Sequence, residues 1–157
     1  MGKARFIGKM MTMVLAYALS TIGVSAADAF VSFDKSDMMF CKKGETFSII
    51  VSDNDNIAVK LAAKNLVNDL KAVLEANVEI TSARSAKAAK IIIGTIGQSN
   101  AIDALVKEGK IDGKTLKGKI EKYIITVCDG NLVIAGSDRR GTVYGIYELS
   151  RQIGVSP

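Results

Sequence analysis

The chain has 157 residues, with 21 Lys or Arg, 16 Asp or Glu and no His, for a formal net charge of +5. Three of the basic residues (Lys3, Arg5, Lys9) and none of the acidic ones lie in residues 1–26, so the remainder carries only +2 and offers no electrostatic case for nucleic acid. The lack of His excludes a His-dependent triad within this chain. Without a Cys cluster, neither a His- or thiolate-based metal site nor a cofactor is expected.

Residues 1–26 read as a secretory signal peptide: a basic start, then an almost unbroken apolar run from Met10 to Val24, then small residues for cleavage near Ala26 or Ala27. The run is shorter than the roughly 20 residues of a spanning helix, so no stable membrane span is expected, an uncleaved anchor being the alternative. No Cys follows the cleavage region to accept a lipid. The protein is therefore expected to be exported, to a periplasmic or extracellular location. Residues 27–157 are long enough for one domain with a sizeable core.

Phe30 to Phe40 is a short irregular or strand-like lead-in anchored by Phe30, Val31 and Phe33. Phe47 to Val51 is rich in β-branched and aromatic residues and predicts a buried strand. It runs into Ser52-Asp53-Asn54-Asp55-Asn56, a cluster of turn and N-cap residues. From Ile57 to about Glu75, Val59, Ala62, Ala63, Leu66, Leu70 and Val73 recur at helical spacing, with Lys60, Lys64, Asn68 and Lys71 on the opposite side.

Val78 to Thr81 alternates as a strand does, Ser82 to Lys90 predicts a polar loop, and Ile91-Ile92-Ile93 predicts a fully buried strand. The segment Gly94 to Ser99 then turns into a short helix over 101–108. Strands over 121–127 and 131–135, joined by Asp129-Gly130, predict a hairpin. Gly136-Ser137-Asp138 caps a last helix that runs to about Ile153, with Gly154 where a left-handed cap residue is expected. The order β-α-β-β-α-β-β-α indicates an α/β (α+β-like) fold, a mixed β-sheet with helices packed on it.

Cys41 and Cys128 are far apart in sequence and can pair in an oxidising compartment or remain free. Between the buried strand and the short helix, the Gly94, Thr95 and Gly97 loop has backbone amides suited to an anion, or is simply a glycine-permitted turn. It lacks the full dinucleotide fingerprint and the Lys of a phosphate-binding loop. Gly141 and Gly145 share one face of the last helix, where glycine costs roughly 1 kcal/mol each, so close approach to the sheet is expected in compensation. Ser137 or Asp138 can cap that helix. Arg139 and Arg140 sit against the helix dipole and serve a carboxylate or interdomain contact, or are solvated. Asp138 and Glu148 are about 15 Å apart along a helix, too far for a glycosidic acid/base pair. No catalytic residue is expected on this chain.

The segments IIIGTIGQSNAIDALVKEGKID (91–112), KGKIEKYIITV (117–127) and LVIAGSDRRGTVYGIYELSRQIGVSP (132–157) resemble the N-terminal domain of family 115 glycoside hydrolases, the xylan α-1,2-glucuronidases. The helix start Asn-Ile-Ala-Val-Lys-Leu-Ala-Ala is similar too. Ile120 stands where that family usually has Trp. The resemblance implies a role in removing glucuronic acid, or its 4-O-methyl ether, from xylan by an inverting reaction. The acid and base would belong to a catalytic (β/α) barrel following Pro157 and absent here. That barrel, in the same polypeptide, is the implied partner, with glucuronoxylan or its oligosaccharides reached through the complete enzyme. Gly94, Thr95, Gly97, Ser137, Asp138, Arg139 and Arg140 are then candidates for the substrate cleft or the interdomain seam. A free-standing carbohydrate- or protein-binding scaffold is the alternative, and a phosphate binder the third reading.

Overall fold

The computed structural model describes residues 4–6, 30–32, 38–82 and 89–155. Most of the predicted leader, Phe33 and residues 83–88 of the polar loop lie outside these. Among the described residues, three short strands, β1 (Ala4–Phe6), β2 (Val31–Ser32) and β3 (Met38–Cys41), pair antiparallel in the order β2-β1-β3. The larger sheet contains β4 (Thr46–Val51), β5 (Asn77–Thr81), β6 (Ala89–Thr95), β7 (Tyr123–Cys128) and β8 (Asn131–Gly136), in the order β5-β4-β6-β8-β7. All neighbours in it are parallel except β7, which runs antiparallel to β8.

Side chains on neighbouring strand positions point to opposite faces. Ile49, Val51, Ile91, Ile93, Leu132 and Ile134 join one apolar cluster, and Ile50, Ile92, Val133 and Ala135 join another. Both faces are covered, and for that reason the central strands read as continuous apolar runs with no alternation. The first face receives α1 (Ile57–Leu74) and α3 (Arg139–Gln152), which pack on one another; the second receives α2 (Asn100–Lys107). From α1, Val59, Ala62, Ala63, Leu66, Leu70 and Leu74 are buried, each leucine contributing about 1.5–3 kcal/mol.

Local signals start and stop these elements. The Asn56 side chain accepts from the Ala58 amide at 3.0 Å and caps α1, which ends at Glu75 in a left-handed conformation (φ 52°). Asp129 (φ 51°) and Gly130 (φ 77°) supply the two positive φ angles of a tight hairpin turn. At the end of α3 the Gly154 amide donates to the Arg151 carbonyl at 3.1 Å and the Val155 amide to the Ser150 carbonyl at 3.0 Å. With Gly154 at φ 95° this is a Schellman closure.

Two details differ from the sequence expectation, and the open alternative for the cysteines is decided. Ala89 and Lys90, predicted as loop, begin β6, because Ala89 pairs with Ser48 of β4. Gly94 and Thr95 continue β6 in register with Ala135 and Gly136 of β8, so the loop proper starts at Ile96. Cys41 and Cys128 are both free, since Cys41 belongs to the cluster on one face of the sheet and Cys128 to that on the other. Among the described residues no helix is long and apolar enough to cross a membrane.

Candidate functional site

In an open α/β sheet, ligands commonly enter the crevice at the carboxyl ends of the strands, where the chain order reverses direction. Here that point lies between β4, whose helix leads to β5 on one side, and β6, whose helix leads to β7 on the other. The crevice is filled by the protein itself. Asp55, 4% exposed, accepts from the Thr95 amide at 2.7 Å, the Thr95 hydroxyl at 2.9 Å and the Asn56 amide at 2.8 Å. Thr142 Oγ1, fully buried on α3, lies 2.8 Å from Thr95 Oγ1 and 2.9 Å from the Asp138 carbonyl oxygen. One polar chain thus joins the ends of β4, β6 and β8.

The neighbouring Gly94, Thr95 and Gly97 segment is an occupied turn. Beyond the Thr95 amide held by Asp55, the Ile96 amide donates to the Gly136 carbonyl at 3.0 Å. The Gln98 and Ser99 amides donate to the Thr95 carbonyl at 3.0 and 2.9 Å. The Gly97 amide donates to the Asp103 carboxylate at 2.7 Å, a side chain in the position an anion would take. No amide from Thr95 to Ser99 remains for a phosphate, which favours the glycine-permitted turn over an anion loop. Glycine is required at Gly94 because a Cβ would strike the Ser99 side chain that caps α2, and at Gly97 because φ is 78°.

The structure brings Ser137 and Asp138 beside this turn through the pairing of Thr95 with Gly136. Both bind the strand that leads into β7. Ser137 Oγ accepts from the Lys122 amide at 3.0 Å, and the Ser137 amide donates to the Lys122 carbonyl at 2.8 Å. Asp138 caps α3 by accepting from the Gly141 amide at 2.7 Å, and its other oxygen accepts from the Glu121 amide at 2.8 Å. These two amides hold its carboxyl below the ordinary value. Gly141 and Gly145 show the anticipated close approach: a Cβ at Gly141 would strike the Lys122 carbonyl, and one at Gly145 would come within 2.7 Å of Ile134.

Arg140 is not oriented toward a vacant site. It pairs with Glu121 at 2.8 Å and donates to the Tyr144 hydroxyl at 3.1 Å, with its guanidinium 6.0 Å from that ring's centre. Arg139 is exposed and has no ion-pair partner among the described residues. Glu148 forms a bidentate pair with Arg151 at 2.9 and 2.6 Å and is held below its ordinary value chiefly by that contact. The two α3 carboxylates therefore have separate structural duties. Among the described residues no group of three His, Cys, Asp or Glu side chains is placed to hold a metal ion.

Sequence reasoning did not single out a groove of about 660 Å³ formed between α1, α3 and the start of β7. Its walls include Tyr123, Tyr144 and Tyr147, which are 37%, 41% and 47% exposed. The absence of a side chain at Gly145 lets Tyr123 lie against α3, with its Cδ2 3.2 Å from where a Cβ would stand. The i,i+3 spacing of Tyr144 and Tyr147 was the available signal, since residues three apart share a helix face.

This is an α/β domain whose usual ligand crevice is sealed by its own side chains. Residues 35–149 match the family described as glycosyl hydrolase family 67 N-terminus, and the chain belongs to that family. A solved GH115 4-O-methyl-α-glucuronidase, BtGH115A, described as specific for decorated arabinogalactans, is 37% identical with a TM-score of 0.66 over 74% of this chain. This chain spans 14% of that one. The solved structure of CpGH84D shares the fold at 13% identity and a TM-score of 0.55, over 71% of this chain and 18% of its own. No curated protein sequence matches. The chain is thus an N-terminal domain of the GH67/GH115 glycoside hydrolase type. Ile120, where Trp is usual, is 80% exposed and does not enter the core.

Proposed function

We propose that residues 27–157 form the non-catalytic N-terminal domain of an exported glycoside hydrolase that removes glucuronic acid, or its 4-O-methyl ether, from a polysaccharide. The observation that carries this reading is the 37% identity, over 74% of the chain, to a 4-O-methyl-α-glucuronidase. The uses of Asp55, Asp103, Asp138 and Glu148 within the fold support a structural role: each carboxylate is committed to a backbone amide or an arginine. Glycoside hydrolysis needs a proton donor and a partner carboxylate flanking the bond, and these belong to a barrel further along the polypeptide. In that enzyme Gly97, Ser137 and Arg139 line the seam with the barrel, and the export signal delivers the protein to its polymer outside the cytoplasm.

Two substrates are in view. Glucuronoxylan follows from the family resemblance, and decorated arabinogalactan from the specificity given for the 37%-identical relative. Releasing uronic acid from both polymers with the polypeptide encoded through and beyond codon 157 separates them. Purified residues 27–157 should release none from either, and release by that domain alone would defeat the non-catalytic reading. A free-standing binding domain is the second reading, favoured by the tyrosine-lined groove. A stop codon directly after Pro157, with stable secreted protein, would support it.

A further inference from the structure

The geometry points to the groove between α1, α3 and β7 as a binding site for the neutral backbone of an oligosaccharide, with Tyr123, Tyr144 and Tyr147 as stacking surfaces. It rests on the glycosidase reading above and adds a substrate-holding role to a domain otherwise read as a scaffold. The groove is open and has a volume of about 660 Å³, within the range of small-molecule sites. Its lining includes Tyr123, Tyr144 and Tyr147, with Val155 as the aliphatic member. A ring's negative face attracts the weakly positive C–H groups on one side of a pyranose, whereas an aliphatic wall would offer dispersion alone.

The rings are held in place. The Asn65 amide donates to the Tyr147 hydroxyl at 3.2 Å, Arg140 donates to the Tyr144 hydroxyl at 3.1 Å, and Tyr123 rests on the backbone at Gly145. Fixed rings lose little entropy on binding. Polar groups surround them at the rim, among them Asn68, which adds donors and an acceptor suited to sugar hydroxyls.

Charge selects which part of the glycan fits. The groove's cation, Arg151, is neutralised by the bidentate Glu148, and Asp69, which accepts from Ser150 at 2.6 Å, adds a negative charge. A lining with no uncommitted cation disfavours a uronate and suits the uncharged backbone that carries it.

The test is isothermal titration of the purified chain with xylohexaose, with neutral arabinogalactan oligosaccharides and with free glucuronate. Binding of one neutral oligosaccharide is expected, with no competition from glucuronate. Tyr144→Ala and Tyr147→Ala should each weaken it at least about tenfold, while Arg139→Ala, outside the groove, should leave it near wild type. Circular dichroism on each variant separates loss of the ring from loss of fold. No binding of either oligosaccharide, unchanged binding in both alanine variants, or competition by glucuronate would overturn the proposal. So would a groove occluded in the longer polypeptide, which would make it a protein-docking face. Uronic acid release by that polypeptide, measured in parallel, reports on the glycosidase reading independently.

Discussion

The carboxylate of Asp55, just beyond the end of β4, holds both the backbone amide and the hydroxyl of Thr95, the last residue of β6, at 2.7 and 2.9 Å. The two residues are forty positions apart, and their contact closes the crevice where an open α/β sheet would otherwise admit a ligand. Asp55→Ala should leave the buried Thr95 amide without an acceptor, at a cost of about 1–3 kcal/mol. Urea unfolding followed by circular dichroism would register this as a lower midpoint with an unchanged slope. Wild-type stability would show that water replaces the carboxylate at no cost.

Asp138 gives a pH dependence whose sign is fixed by its partners. The Gly141 and Glu121 amides favour its ionised form and depress its folded-state value. A depressed value contributes stability that is present above the unfolded-state value, about 3.9, and lost as pH falls through the folded one. Asp138→Ala should cost about 1 kcal/mol at neutral pH through loss of the helix cap. The gap from wild type should narrow below about pH 4. Melting curves across pH 3–7 would test this, and a gap that stayed constant throughout would contradict it.

Gly141→Ala sets two effects against each other. Alanine favours a helix interior by about 1 kcal/mol over glycine, but its Cβ would collide with the Lys122 carbonyl, a backbone atom held by the Ser137 amide. Overpacking of this kind costs about 1–3 kcal/mol, so a net loss of stability is expected. At Gly145 the nearest atom is a side-chain carbon of Ile134 at 2.7 Å, against a backbone oxygen at 2.2 Å for Gly141, so the loss from Gly145→Ala should be smaller. Equal losses in parallel urea titrations would refute that ordering.

The two thiols should remain reduced even in an oxidising medium. Cys41 and Cys128 lie in clusters on opposite faces of the sheet, and burial pushes the Cys41 thiol up to about 11. Burial raises Cys128 as well. Since the thiolate is the reactive form, labelling by iodoacetamide should be slow in the folded protein and complete at both residues in urea. A mass shift showing an intramolecular disulfide in the folded protein would refute the placement of the two residues.

The ends of the elements were readable because their signals are local. Asn56, Asp138 and Gly154 act within a few residues of where they stand, and the helical spacing of Val59, Ala62, Leu66 and Leu70 marks which side of α1 is buried. The expectation of a close approach to the sheet held at Gly145, beside Ile134 of β8, while Gly141 meets the Lys122 carbonyl just ahead of β7. Arg140 was not readable in the same way. Its partner Glu121 lies on another element, and only the packing of α3 against the lead-in to β7 brings them within 2.8 Å.

The sequence by itself determined the order of strands and helices from β4 onward, the apolar face of α1, the family likeness and the absence of any His among these residues, while the pairing of Ala4–Phe6 with β2 and β3 was not foreseen. Tertiary structure alone decided that β6 lies between β4 and β8, and with it that Asp55 meets Thr95 and that three tyrosines border one groove. Periodicity along a chain states which side of each element seeks burial, a property of residues a few positions apart. Which elements then satisfy one another depends on the strand order of the whole sheet, and contacts between residues forty or more positions apart exist only once that order is set.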